Sequence, residues 1–403
     1  MKNKGITLIA LVISIIVLLI LAGVTIAALS GDNGILTRAK EAKEKTKQAQ
    51  EDEEKTLSNI ENVLENYQFE NVNADDTNPA GAMPSDVNIL ESDANKGIVI
   101  KDKNNNEWVW VEVPKTTVFT DLSIDTTSEL TEQNYNDIKN KLITYAGVYR
   151  NGSASQKRSD WTDEWYEGCG LTPNEYTSIY QKMLKSVYTY GGFWIGRYEA
   201  GIEGSVEDVS KARTEHSDII IGTSPKAISQ KDAIPYNWIY CSEAQALAKE
   251  MTPDSNHTSN LMFGLQWNLV CKFLEIKAGL TIEEIKSDSS NWGNYNNVTR
   301  TITSKKAKQE GTPWTSITEI KPAETILLST GASEETNKMN IYDFAGNEFE
   351  WTLENSFNNE FPCIYRGGSC NNQGVGFSAW YYNGYKIDNS YYSIAFRSTF
   401  YNN

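Results

Sequence analysis

Histidine is scarce in this 403-residue chain, and cysteine has no regular spacing. Only His216 and His257 occur, so a metal site built on three histidines is excluded. The five cysteines are Cys169, Cys241, Cys271, Cys363 and Cys370. An odd number without a Cys-x-x-Cys pair gives no disulfide framework, so buried thiols are expected and a single Cys363–Cys370 bridge stays open.

Positive charge is also in short supply. The chain has 37 Lys and Arg against 53 Asp and Glu, which gives a net charge of -16. Such a surface repels phosphates, which argues against nucleic acid as a partner. The same deficit argues against polybasic binding to anionic lipid headgroups.

Short catalytic signatures are missing as well. The chain contains no Gly-x-Ser-x-Gly, His-Glu-x-x-His or phosphate-loop pattern. A Ser-His-Asp set stays open, because residues far apart in sequence can meet in space. Glu348 and Glu350 would share one face of a strand and could form an acid/base pair.

The N-terminus carries a long apolar run. Ile6 to Leu29 are 24 residues without a charge, and Lys2 and Lys4 precede them. As a helix the run would be roughly 36 Å long, enough to cross a bilayer. A cleaved secretory signal usually has a shorter apolar core. We therefore predict a transmembrane helix in residues 1–30, with the body of the protein outside a bacterial cell membrane.

The stretch KGITLIALVISIIVLLILAGVTIAAL resembles the N-terminus of type IV prepilins. The resemblance implies cleavage between Gly5 and Ile6, N-methylation of Ile6 and other pilin subunits as partners. Ala10 stands where the family has Glu, which leaves filament assembly open. Residues 31–70 are charged with a heptad-like stripe and predict a stalk helix. Residues 71–97 are rich in Asn, Asp, Pro and Gly and predict a linker.

Residues 98–403 show the pattern of an α+β domain. Runs such as EWVWVEVP and GGFWIGRYEAG predict strands. SEAQALAKEM, 242–251, and LMFGLQWNLVCKFLEIKAG, 261–279, predict helices, the second with Leu265, Leu269, Phe273 and Ile276 on one face. Strands resume at DFAGNEFEWT and CIYRGGSC, where Trp351 is expected in the core. Arg366 and Arg397 are expected to bond loop carbonyls.

These motifs in this order, ending in RGGSC and AFR, resemble the formylglycine-generating enzyme (sulfatase-modifying factor) superfamily. The resemblance implies a C-type-lectin-like α+β fold, preceded here by the long transmembrane and stalk helix. It also implies that Asn347, Glu348 and Glu350 hold a structural calcium, and that the family's oxidation chemistry uses a copper ion held by a cysteine pair. We expect no cofactor to be required here. The family's cysteine pair is not found, because Cys370 alone lies between Ser369 and Arg397. We therefore expect no catalytic residues, with a divergent oxidase as the alternative.

The end of the chain has the composition of a recognition surface. Of the 33 residues from Asn371 to Asn403, 19 are Tyr, Asn, Ser or Gly. Tyrosine offers contact area at little entropic cost, and the small polar residues offer adaptable hydrogen bonds, as in antibody loops. The segment 366–403 also resembles the C-terminal segment of the variable proteins of diversity-generating retroelements. These elements mutate Asn codons, which yields Asn, Tyr, Ser, Asp and Gly among other residues.

The resemblance implies these ligand-contacting positions: Asn371, Asn372, Ser378, Trp380, Tyr381, Tyr382, Asn383, Tyr385, Asp388, Asn389, Ser390, Tyr391 and Tyr392. Trp380 is the one residue of this set that mutation of an Asn codon at its adenines does not yield. We expect a surface-displayed, membrane-anchored, pilin-like protein that binds a protein or glycan at the cell exterior. A minor pilin with a structural role is the other alternative.

Overall fold

The computed structural model describes residues 13–16, 18, 43, 45–47, 69–150, 162–303 and 306–403. The chain divides into two compact units, Met1–Gln68 and Phe69–Asn403. In the first unit the described residues are helical and exposed. Most of the predicted leader, membrane segment and stalk, including Gly5 and Ile6, lies outside the described residues.

The predicted transmembrane helix requires a correction. Within the described residues, no helix combines the length and the apolar character needed to cross a membrane. The expected fold of a domain preceded by such a helix is therefore wrong in this part, and so is the location in a bacterial membrane that was based on it. The mixed α+β character of the body is confirmed.

Six α-helices occur in the described part of the second unit. They are α1 (Lys115–Val118), α2 (Glu132–Ala146), α3 (Pro173–Tyr190), α4 (Cys241–Glu250), α5 (Gly264–Lys277) and α6 (Ile282–Lys286). Thr172 caps α3 through the amide of Glu175, and Thr281 caps α6 through the amide of Glu284. Gly191 ends α3 at φ +71°, where a side chain would collide with the carbonyl of Asp76.

The strands are β1 (Val87–Glu91), β2 (Val99–Asp102), β3 (Glu107–Glu112), β4 (Gly192–Gly196), β5 (Gly201–Ile202), β6 (Ala227–Ile228), β7 (His257–Leu261), β8 (Arg300–Thr301), β9 (Ala307–Gln309), β10 (Glu319–Ile320), β11 (Ile326–Leu328), β12 (Phe349–Asn355), β13 (Cys363–Arg366), β14 (Tyr382–Tyr385), β15 (Ile394–Phe396) and β16 (Ser398–Asn402).

Two sheets organise this unit. The larger is antiparallel, in the order β1-β2-β3-β4-β16-β7. The smaller has the order β14-β13-β12-β15, in which β12 and β15 are parallel. Because β16 pairs with both β4 and β7, the last strand of the chain lies inside the larger sheet. Its Phe400 and Tyr401 are fully buried, so this end of the chain belongs to the core.

The segment predicted as a linker contributes to this unit. Val87–Glu91 forms the edge strand β1, and the turn before it reaches the core of the larger sheet. The indole N–H of Trp110 donates to the Thr77 hydroxyl over 2.8 Å, and that of Trp194 donates to the Ala82 carbonyl over 2.9 Å. Two buried donors of the sheet thus find their acceptors in residues 71–97.

Candidate ligand-binding site

Two buried ion pairs hold the C-terminal segment, residues 366–403. Arg366, at the end of β13, donates from Nε to Glu354 Oε2 over 2.7 Å and from Nη1 to the Trp380 carbonyl over 3.1 Å. Arg397 donates from Nη2 to Glu350 Oε1 over 2.7 Å and from Nη1 to the Gly196 carbonyl over 3.0 Å. Both guanidinium groups are fully buried. The prediction that these arginines bond carbonyls at strand ends is confirmed. Each of them also donates to a buried carboxylate.

The residues predicted to contact a ligand fall into three classes of exposure. Asp388 and Tyr391 are exposed. The half-buried members are Asn371, Asn372, Asn383, Tyr385, Asn389 and Ser390. The buried members are Ser378, Trp380, Tyr381, Tyr382 and Tyr392. These five side chains are buried, whereas we expected all the predicted positions to be accessible to a ligand.

The buried aromatic residues of the segment are bonded into the core. Trp380 donates its indole N–H to the Tyr149 carbonyl over 2.7 Å. Tyr382 packs edge-on against Trp380 with ring centroids 5.3 Å apart, and the guanidinium of Arg366 lies 5.1 Å from its ring. Tyr381 packs against Phe377 and Phe349 at 4.7 and 5.9 Å. Their geometry shows side chains that stabilise the fold.

The loop between β14 and β15 is one of the exposed parts of the segment. Tyr391 lies over Trp238, with ring centroids 6.0 Å apart, and next to Tyr392 at 4.9 Å. The amide of Trp238 donates to the Tyr391 carbonyl over 3.2 Å, which ties the two chain segments together. We call residues 388–391 together with Trp238 the tail face.

Trp238 was missed by sequence reasoning. It lies 150 residues before the tail in the loop sequence YNWIY, which carries no motif. Its backbone has φ +52°, a conformation that bulky residues rarely adopt. Such strain persists where the surroundings or a function require it. The positive φ of Trp238 was not visible from the sequence.

A groove of about 720 Å³ adjoins the tail face. We call it the aromatic groove; its lining is Val209, Ser210, Ala212, Thr214, Trp238, Lys308, Glu310, Gly311, Thr312, Pro313, Trp314 and Tyr392. The hydroxyl of Tyr392 donates to Asn371 Oδ1. Burial, the thiol of Cys370 and the carboxylate of Glu310 raise the pKa of Tyr392, so its hydroxyl stays protonated.

The predicted calcium ligands are engaged with other groups. Asn347 accepts at Oδ1 from Asn294 and from the Leu328 amide, and Glu350 accepts from Arg397 with both oxygens. Glu348 Oε1 accepts from Asn237 over 2.9 Å. The three residues therefore do not present a joint set of free oxygens, and calcium binding there stays a prediction.

A second group of possible metal ligands lies close together. His216, Asp218 and Glu243 place one ligand atom each within 4.8 Å of one another. His216 Nε2 lies 3.0 Å from Glu243 Oε2, and its ring stacks on Tyr240 with centroids 3.8 Å apart. Glu243 also accepts the amides of Tyr240 and Ile219, so its carboxylate already helps to hold this loop.

Two of the thiols lie next to each other, because the side chains of Cys241 and Cys363 are hydrogen-bonded. All five cysteines are free and buried. The Tyr166 hydroxyl and the Cys241 thiol are bonded at 3.3 Å. Burial, together with the charges of Glu348 and Glu199, raises the pKa of the Cys370 thiol. A thiol with a raised pKa is a poor nucleophile and metal ligand at neutral pH.

The class that these observations define is a mixed α+β domain with an exposed aromatic loop near its C-terminus. Among solved structures, the chain is similar to variable protein 1 of Treponema denticola, with 14% identity and a TM-score of 0.28 over 52% of this chain and 84% of that one. It is also similar to CarF, with 14% identity and a TM-score of 0.33 over 60% of this chain and 97% of that one.

Both TM-scores lie below 0.5, so neither likeness defines the function of this chain. No family model matches the chain, and no curated protein matches it.

Proposed function

We propose that this protein is a ligand-binding protein of the receptor or adhesin type that recognises its partner with the tail face. The observation that carries the proposal is the exposed loop 388–391 on a rigid frame. Buried Arg–Glu pairs lie at both ends of the segment, and the aromatic rings between them are packed in the core. A rigid scaffold with a polar and aromatic loop loses little conformational entropy on binding.

The chemistry of the tail face suits a polar macromolecular surface. Asp388 offers a carboxylate, Asn389 and Ser390 offer small hydrogen-bonding groups, and Tyr391 and Trp238 offer rings. Tyr391 is 41% exposed, so part of its ring is accessible for contact. Aromatic residues of this kind dominate the binding energy of many protein interfaces.

Diversification by a retroelement belongs to this proposal. The structure limits where it would be tolerated, because replacing a packed side chain costs far more than replacing an exposed one. We expect variation at the exposed and half-buried positions, which are Asn371, Asn372, Asn383, Tyr385, Asp388, Asn389, Ser390 and Tyr391. A near-copy of the coding DNA beside a reverse transcriptase gene, differing only at adenines, would support this. Differences spread over all bases would contradict it.

Binding is tested on arrays of glycans and of cell-surface proteins. The double variant Asp388→Ala/Tyr391→Ala should lose the signal that the unaltered protein gives, because it removes the charge and the free ring of the tail face. The matched control is Tyr135→Ala/Asp137→Ala on α2, which removes the same chemistry outside the C-terminal segment. Equal loss in both variants, or full binding by the tail-face variant, would contradict the proposal.

A further inference from the structure

The tryptophans of this protein differ in what their indole N–H groups do. Of the ten in the described part of the chain, eight donate to an acceptor within the protein. These are Trp108, Trp110, Trp165, Trp194, Trp267, Trp292, Trp351 and Trp380. For Trp238 and Trp314 no such acceptor is found among the described residues, and both line the aromatic groove.

The two unpaired indoles belong to different walls that meet in this groove. Trp238 is half-buried at its strained φ of +52°, and Arg213 Nη2 donates to its carbonyl over 2.8 Å. Trp314 lies in the loop between β9 and β10, which is closed by mutual bonds of 3.0 and 2.9 Å between the backbones of Ala307 and Thr315. Tyr392 is the third ring of the lining. The groove thus offers aromatic faces and free donors on a braced frame.

The polar lining sets the charge and hydrogen-bonding character of an occupant. Lys308 and Glu310 contribute opposite charges, so the lining is neutral even though the chain carries -16. The free indoles require acceptors, while Glu310 requires donors. The hydroxyls of Ser210, Thr214 and Thr312 serve either role. An uncharged occupant that offers both donors and acceptors next to apolar faces matches this lining.

We propose that the aromatic groove binds a neutral saccharide. A pyranose ring has apolar C–H faces that stack on indole and phenol rings, and its hydroxyls donate and accept at the rim. A proline-rich peptide also suits aromatic grooves, but its proline residues lack N–H donors and would leave Glu310 unmatched. The volume of about 720 Å³ lies in the usual range of small-ligand sites, which fits a short oligosaccharide.

The test is a titration of the full chain with cellotetraose, chitotetraose and maltotetraose, followed by tryptophan fluorescence and by calorimetry. At least one should bind, and Trp314→Ala should weaken that binding about tenfold or more, as expected for the loss of a stacked ring. Trp165→Ala is the matched control, because Trp165 is 38% exposed but donates to the Leu171 carbonyl outside the groove. It should bind as the unaltered protein does.

Several results would overturn the proposal. These are absence of binding by all three saccharides, equal weakening in both tryptophan variants, or binding of decaproline in place of the saccharides. Because Tyr392 lies in the groove and Tyr391 in the tail face, the inference deepens the proposed function without depending on Asp388 or Tyr391. If the saccharides fail but Asp388→Ala/Tyr391→Ala still abolishes an array signal, the groove proposal is wrong and the tail-face proposal stands. If a saccharide binds but that double variant keeps its full array signal, the groove proposal stands and the tail-face proposal is wrong.

Discussion

Glu348 lies in a group of buried carboxyls that are short of cations. Oε1 accepts from Asn237, while no partner for Oε2 is found in the described part of the chain. Burial raises the pKa of Glu348, and the neighbouring charge of Glu350 adds to this effect. Burial likewise raises the pKa of Glu199, together with the charges of Asp343, Glu348 and Glu350. At pH values between the unfolded pKa and the raised folded pKa, the folded protein therefore holds protons that the unfolded chain has already released.

The sign of the pH dependence follows from linkage. Where the folded state holds more protons, the free energy of unfolding falls as the pH rises from the unfolded pKa of 4.5 towards the raised folded pKa. Glu348→Gln cannot ionise, so its melting temperature should fall less between pH 5 and pH 8 than that of the unaltered protein. Exposed Glu319→Gln serves as the control and should follow the unaltered protein. An unchanged slope in Glu348→Gln would contradict the assignment.

Two tyrosines of the C-terminal segment separate stability from recognition. Tyr382 is 4% exposed and contacts Trp380, so Tyr382→Ala should lower the free energy of unfolding by about 3–5 kcal/mol. Tyr391 is 41% exposed, so Tyr391→Ala should change it by less than about 0.5 kcal/mol. Urea denaturation measures both. Similar losses in the two variants would show that the loop 388–391 is part of the core.

At the scale of elements, two of the six described helices of the second unit, α4 and α5, were predicted from the sequence, whereas the two longest, α2 and α3, were not. The helix predicted at 242–251 is α4, Cys241–Glu250, and that at 261–279 is α5, Gly264–Lys277. Their apolar spacing is local information. Ile276 was placed on the buried face of α5 but is 51% exposed, because near the end of the helix that face no longer meets a neighbour. Burial depends on partners that a local pattern does not contain.

The strand β1 and the tail face show what local patterns leave out. β1 lies in a segment whose Asn, Asp, Pro and Gly predict a linker, and its pairing with β2 decides its conformation. The aromatic residues of the C-terminal segment were recognised as a group, but composition does not tell which of them face inwards. Trp238 contacts Tyr391 although the two are 153 residues apart in the sequence, so this half of the tail face is visible only in the fold.

The contribution of residues 69–97 to the body is testable by truncation. A chain starting at residue 69 keeps β1 and the acceptors for Trp110 and Trp194. A chain starting at residue 98 loses all three, and each buried indole donor left unpaired costs about 1–3 kcal/mol. We expect its melting temperature to lie about 5 °C or more below that of the longer chain. Thr77→Val in the longer chain should reproduce part of this loss, and equal melting temperatures would show that residues 98–403 are sufficient.

For the molecule as a whole, the thiols report on global unfolding. They are distributed over α4, α5, β13 and loops, and all are buried and free. Burial raises the pKa of Cys169 to about 11 and that of Cys271 to about 12. A reagent that needs the thiolate in contact with solvent must therefore wait until the structure opens.

We expect native protein at pH 8 to react with Ellman's reagent far more slowly than a free thiol, and to release five equivalents per chain once unfolded in urea. Where reclosing is fast, the labelling rate should be proportional to the population of the open state. The destabilising variant Tyr382→Ala should therefore label faster than the unaltered protein, and Tyr391→Ala should not. The rates are read from the absorbance of the released thiolate. Rapid labelling of one thiol in the native protein would identify a reactive cysteine and would favour the oxidase alternative over a binding protein.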